Sequence, residues 1–155
     1  MGSTEAVVTL RQSRKPISVL PDNPVIVIGG ADLITQYNKE LDRQITVYNR
    51  RLEKLSNPYF IRTRHSVGDH VYSGRYFYKH VWDITSGKMK EAYVGLAVPE
   101  DDNIPEGGFP PPPMNVLEGF VYRVIYHDLI CSKEMYDKFF RFFEGKDVVV
   151  LKLKV

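Results

Sequence analysis

The stretch from Ser73 to Val98, SGRYFYKHVWDITSGKMKEAYVGLAV, constrains the fold more than any other part of the chain. Residues 76–83 are dense in Tyr, Phe, Val and Trp, side chains that suit a pleated, half-buried surface. Ile84-Thr85-Ser86-Gly87 supplies a turn, with Gly87 free to take positive φ. The stretch therefore predicts a long β-hairpin. Pairing Asp83 with Lys88 sets Trp82 opposite Met89, His80 opposite Glu91 and Tyr78 opposite Tyr93. Side chains alternate across a strand, so one face carries Tyr76, Tyr78, His80, Trp82, Met89, Glu91 and Tyr93. The other carries Phe77, Lys79, Val81, Lys88, Lys90, Ala92, Val94 and Leu96. Neither face is purely apolar.

Two readings follow for the rings. Tyr76, Tyr78, Trp82 and Tyr93 are either the core side of an antiparallel sheet, where aromatics pair well across strands, or a platform on which unpaired bases stack. In the second reading Arg62, Arg64, Arg75, Lys79, Lys88 and Lys90 engage phosphates. Solvent exposure of the rings separates the two.

The lead-in to the hairpin is a helix and a strand. Ile34, Tyr37, Leu41, Ile45, Tyr48, Leu52 and Leu55 recur at three- and four-residue steps, which predicts one helix from Asp32 to Ser56 with a narrow apolar stripe. The stripe either packs on the sheet or, by its near-heptad spacing, forms a helix–helix seam with a second copy. Asn57-Pro58 ends the helix. Tyr59 to His65 then alternates as a strand, with Tyr59, Ile61 and Thr63 on one side and Phe60, Arg62 and Arg64 on the other. Before the helix, Val25 to Ile28 is a short strand followed by Gly29-Gly30-Ala31-Asp32. That glycine pair has the spacing of neither the dinucleotide nor the nucleotide-triphosphate loop. Asp32 is placed to cap the helix where a phosphate would otherwise sit.

After the hairpin, Pro99 to Asn115 (PEDDNIPEGGFPPPPMN) excludes regular structure, because four consecutive prolines remove backbone donors and impose polyproline geometry. Phe109 is its expected anchor to the core. Glu118 to Leu129 alternates as a single strand. Ser132 caps a helix from Lys133 to Glu144, with Gly145 past its end and Met135, Tyr136, Phe139, Phe140 and Phe143 as its core face. Val148 to Val155 forms a last strand with Val149, Leu151, Leu153 and Val155 inward. Its Lys152 and Lys154 are suited to guard a sheet edge.

The length, 155 residues, suits one domain with a sizeable core. The expected fold is α+β: a curved antiparallel sheet of about five or six strands, with one long helix in the N-terminal half and one short C-terminal helix. Residues 1–23, with Arg11, Arg14 and Lys15, read as a flexible or strand-bearing arm; 24–155 read as the domain, with its proline-rich acidic loop at 99–115. The net charge of +2 implies no polyanion partner by itself. Its distribution is more telling, since Glu100, Asp101, Asp102, Glu106 and Glu118 lie in a stretch without Lys or Arg, while basic residues gather in the long helix, the strand after it and the hairpin. A single cysteine excludes an internal disulfide and suits a cytoplasmic location. No run is apolar enough to span a membrane, and the low Cys and Gln content hints at a thermophilic source.

Chemistry-bearing motifs are sparse. His65, Asp69 and His70 do not have a metal-ligand spacing, so neither a metal nor a cofactor is expected. Cys131 precedes a helix N-terminus, where a thiol pKa can fall, and His127 is four residues earlier. No paired-carboxylate, serine-elbow or zinc motif accompanies them. The leading expectation is a non-catalytic nucleic-acid-binding protein, single-stranded DNA or RNA first, using Arg62, Arg64, Arg75, Tyr76, Tyr78, Lys79, Trp82, Lys88 and Lys90. The alternatives are a homodimeric protein-interaction module built on the helix Asp32 to Ser56, and a small enzyme or ligand-binding domain near Cys131 and His127.

Overall fold

A computed structural model describes residues 3–9, 20–98 and 108–154 of the chain. The architecture is α+β, with eight strands and two helices among the described residues. In chain order these are β1 (Ser3–Thr9), β2 (Pro24–Val27), α1 (Gly30–Lys54), β3 (Tyr59–Val67), β4 (His70–Asp83), β5 (Lys88–Gly95), β6 (Val121–Ile125), β7 (Asp128–Ser132), α2 (Lys133–Phe139) and β8 (Val148–Lys154). They fall into two compact units: Met1–Tyr37 with Ser66–Tyr72 and Phe120–Val155, and Asn38–His65 with Ser73–Gly119.

In the first unit the strands run in the order β1-β8-β2-β7-β6, and the start of β4 joins β6 through Val71 and Tyr72. All pairs are antiparallel except β1 with β8, which is parallel. The strand count exceeds the expected five or six for two reasons. The amino-terminal strand is present, and the run from Glu118 to Leu129 is not one strand. It divides into β6 and β7 around Tyr126-His127, a two-residue turn with Ile125 opposite Asp128 and Tyr126 at φ 55. Strand β8 is no edge either, since it lies between β1 and β2. Lys152 therefore guards no edge, and Lys154 pairs with Thr9 of β1.

Val25, Val27, Leu129, Cys131, Phe120 and Phe143 are fully buried here. Phe120 stacks on Tyr122 and meets the edge of Phe139. The second helix is shorter than its apolar pattern predicts: α2 stops at Phe139, and turns carry the chain through Phe143 to Gly145 at φ 86. Its face is only half-buried, with Phe143 as the one core ring and Phe140 exposed. The Ser132 cap is present, its Oγ accepting from Met135 N–H at 3.0 Å.

The glycine pair has a packing explanation. Gly29 sits at φ 72, a conformation that suits glycine. A Cβ on Gly30 would lie 2.9 Å from Leu129 Cδ2 and Cγ. The amides that a phosphate would need are engaged: Gly29 N–H donates to Asp128 Oδ1 at 2.7 Å and Ala31 N–H to the His127 carbonyl at 3.0 Å. Asp32 does not cap the helix as expected. Its carboxylate meets the His127 ring instead, Oδ2 to Nδ1 2.9 Å.

The second unit is built from α1 beyond Asn38, β3 to His65, β4 from Ser73, β5 and the segment 108–119. The hairpin has the predicted register: Asp83 with Lys88, Trp82 with Met89, His80 with Glu91 and Tyr78 with Tyr93. A bulge between Phe77 and Tyr78 then shifts the pairing so that Phe77 meets Gly95. Along α1 the stripe residues Leu41, Ile45, Tyr48 and Leu52 are buried, as is Ile34 nearer its start. The middle of the stripe is thus taken up by the chain's own core, while Tyr37 is half-buried and Leu55 exposed. The helix ends in an αL turn with Ser56 at φ 56 and Asn57 N–H donating to the Leu52 carbonyl at 3.0 Å. Phe109 anchors the proline segment as expected, its ring 5.6 Å from Phe77 and 6.3 Å from Tyr59. Tyr48 Oη donates to the Pro110 carbonyl at 2.8 Å. The acidic residues Glu100, Asp101, Asp102 and Glu106, like Arg11, Arg14 and Lys15, lie outside the described residues.

Candidate nucleic-acid interface

Strands β3, β4 and β5 present one face as a ladder of rings. His65 stacks on Tyr93 at 4.9 Å and Phe60 on His80 at 4.5 Å, with Phe60 also parallel to Tyr78 at 5.6 Å. Tyr78 and Tyr93, paired across the hairpin, meet edge to face at 5.5 Å. Arg62 lies on this ladder, its guanidinium 4.6 Å over the Tyr78 ring and paired with the Glu91 carboxylate.

Burial grades along the ladder. Tyr76 is buried and cannot stack on a ligand, whereas Tyr78 is half-buried. Trp82 is 61% exposed, and its cross-strand neighbour Met89 is exposed beside it. The reason lies in strand length. The His80 N–H donates to the Pro58 carbonyl at 3.1 Å, just before β3 begins, and beyond this point the ribbon has no third strand among the described residues. From Trp82 to Glu91 every residue except Asp83 is exposed. The turn is held by Asp83, whose Oδ2 accepts from Ser86 Oγ at 2.8 Å and whose Oδ1 accepts from Thr85 N–H at 3.1 Å. These contacts and Lys90 at 2.7 Å hold its carboxyl below the usual range, Lys90 being the largest cause.

The basic residues divide among three places. By the register, Lys79, Lys88 and Lys90 belong to the face opposite Trp82. Lys79 Nζ lies 5.4 Å from the centre of the buried Tyr59 ring, and Lys90 pairs with Asp83. Arg64 departs from the alternation that grouped it with Arg62. It turns to α1 and makes a two-pronged pair with Asp42, at 2.8 and 3.1 Å. A bidentate carboxylate at that position outweighs strict alternation, and Thr63 Oγ1 joins at 3.4 Å. Arg75 is exposed at a cavity of about 300 Å³ lined also by Ile45, Ile61, Pro112, Pro113 and Glu118. Of the nine residues expected to form one surface, Arg62, Tyr76, Tyr78 and Trp82 share the ring face, Tyr76 being buried within it against His65 and Tyr93.

Phe60, His80, Glu91 and Tyr93 complete that face. His80, Glu91 and Tyr93 were legible from the hairpin register; Phe60 needed β3 to be docked beside β4. The groove between α1 and β3, about 330 Å³, is lined by Asp42, Thr46, Asn49 and Arg64; Arg64 pairs with Asp42 on its wall, and Asn49 donates to the Ile61 carbonyl.

Elsewhere, Cys131 is buried in β7, and burial pushes its thiol up to about 12, the opposite of an activated nucleophile. His127 is exposed at the β6–β7 turn and engaged with Asp32. Among the described residues no cluster of His, Cys, Asp and Glu is arranged to hold a metal, and no helix is long and apolar enough to cross a membrane. Set against protein-family models, curated proteins and solved structures, the chain finds no match.

Proposed function

We propose that the chain is a non-catalytic binding protein for unpaired DNA or RNA, with the ring face of β3, β4 and β5 as its binding surface. One observation carries the reading: Trp82 stands 61% exposed on a two-stranded ribbon, on the same face as a ladder of rings that holds Arg62 in place. An indole left in water at the end of such a ladder is suited to receive a base on its π-face, an interaction tolerant of sequence. Phosphates are met by Lys88 and, once released from Asp83, by Lys90, whose flexible stems reach around the edge of a ribbon only two strands wide. The buried cysteine fits a reducing, cytoplasmic setting.

The test is fluorescence anisotropy with labelled single-stranded DNA, RNA and duplex DNA at low and moderate salt. Binding to the single strands should fall steeply with salt and drop further in Trp82→Ala and Lys88→Ala. No binding to any of them at low salt would sink the reading.

A second reading rests on a specific observation as well. Ile84, Trp82 and Met89 form an exposed apolar tip on the ribbon, and aromatic residues and Met are enriched where proteins meet. A protein partner at this tip would leave Lys88→Ala without effect on its binding while Ile84→Ser abolished it.

A further inference from the structure

Resting on the nucleic-acid reading above, we propose that the Arg62–Glu91 pair makes the surface selective for guanine in unpaired strands. The pair sits in the middle of the ring face. Glu91 is opposite His80, one step along the ribbon from Trp82 and Met89 and one step before Tyr78 and Tyr93. Same-face neighbours on a strand are about 7 Å apart. A base lying flat on Trp82 and Met89 therefore brings its edge to Glu91.

The pair is half open to water, with both side chains 46% exposed, so it contributes little to folding. It is nevertheless well oriented. The Arg62 guanidinium lies 4.6 Å over Tyr78 and 5.3 Å from the centre of Phe60, which fixes the plane of its N–H fork. What results is a carboxylate acceptor and a guanidinium donor side by side, next to a stacking platform.

The bases answer that pattern differently. Guanine carries two adjacent donors on its Watson–Crick edge, N1–H and the N2 amine, with the O6 acceptor beside them. One carboxylate takes both donors while a guanidinium reaches O6. Adenine and cytosine place a ring-nitrogen acceptor beside their amine, and that lone pair faces the carboxylate. Thymine and uracil offer a single N–H between two carbonyls. Unpaired bases are read on these edges because nothing else occupies them, and each good bidentate contact is worth discrimination of about tenfold or more.

The experiment measures anisotropy with a labelled thymine run and the same run carrying one guanine, adenine or cytosine. Guanosine and adenosine monophosphates serve as competitors. The wild type should bind the guanine strand about tenfold more tightly than the others, and guanosine monophosphate should compete better. Glu91→Gln, at an exposed site that leaves the fold intact by circular dichroism, should erase the preference and retain or strengthen binding of the plain thymine run, since Arg62 is then released to phosphates. Salt-sensitive binding with equal affinity for all four strands, or a guanine preference that survives in Glu91→Gln, overturns the inference and leaves the nucleic-acid reading standing. Absence of binding to every strand overturns both.

Discussion

Asn49 on α1 grips the backbone of Ile61 on β3 at both ends: its Nδ2 donates to the Ile61 carbonyl and its Oδ1 accepts from the Ile61 N–H, each at 2.9 Å. One side-chain amide thus does for the outer edge of β3 what a neighbouring strand would do. An unpaired strand edge is an invitation to other chains, and here the helix covers it. Asn49→Ala should cost about 2–3 kcal/mol, the sum of two part-buried hydrogen bonds whose backbone partners are left unmatched. Urea unfolding measures this, and hydrogen exchange at the Ile61 amide should accelerate. Asn49→Asp should restore no more than the bond to the Ile61 N–H.

Gly30 fits because it lacks a side chain. With Leu129 carbons 2.9 Å from any Cβ built there, Gly30→Ala should destabilise the fold by about 1–3 kcal/mol despite alanine's better helix propensity. Trimming the neighbour tests the cause. The double variant Gly30→Ala/Leu129→Ala should be less destabilised than the sum of the single variants in thermal or urea melts.

Among the described residues three other than glycine occupy the left-handed region: Asn23 at φ 46, Ser56 at φ 56 and Tyr126 at φ 55. Tyr126 is 92% exposed, so its ring gains no burial to offset the strain. Tyr126→Gly should stabilise the protein by about 0.5–1 kcal/mol, and Ser56→Gly by a similar amount. A fall in the unfolding midpoint of Tyr126→Gly would show that the ring does something the β6–β7 turn alone does not require.

Burial raises the Cys131 thiol from an ordinary value near 9 to about 12. The sign follows from linkage: the folded state holds this proton more tightly than the unfolded chain. The contribution is therefore complete below pH 9 and is lost as pH rises through about 12. Unfolding midpoints should decline above pH 9 in the wild type, and Cys131→Ala should show a shallower decline. A thiol reagent at neutral pH should modify Cys131 only at the rate of unfolding.

How much of this was legible in the sequence depended on how local the determining contacts are. The hairpin register could be read because a four-residue turn and strict alternation fix it from within. The split between β6 and β7 could not, since Tyr126-His127 carries no glycine, asparagine or proline and the apolar alternation runs through it. Burial of the α1 stripe was one of two readings that the same spacing allows, and only the partner surface decides between them. The charges were harder still. Arg62 and Arg64 are two apart on one strand, yet they pair with Glu91 of β5 and Asp42 of α1. Those partners are set by tertiary placement. The groups on the ring face were nameable; their neutralisation was not.

The parallel pairing of β8 with β1, and its position between β1 and β2, bears on how the first unit comes to exist. Ser3 meets Val148 across nearly the whole length of the chain. Such contacts carry a large loop-closure penalty before they return any stabilisation, so folding of this unit is slow compared with the local hairpin of the second. On the ribosome, β1 and β2 are made before β8 and must wait for it, since it follows them in sequence beyond the hairpin. During that interval their backbones are open to association with neighbouring chains. The β4–β5 ladder of the hairpin, whose pairs are short in sequence, can form long before then.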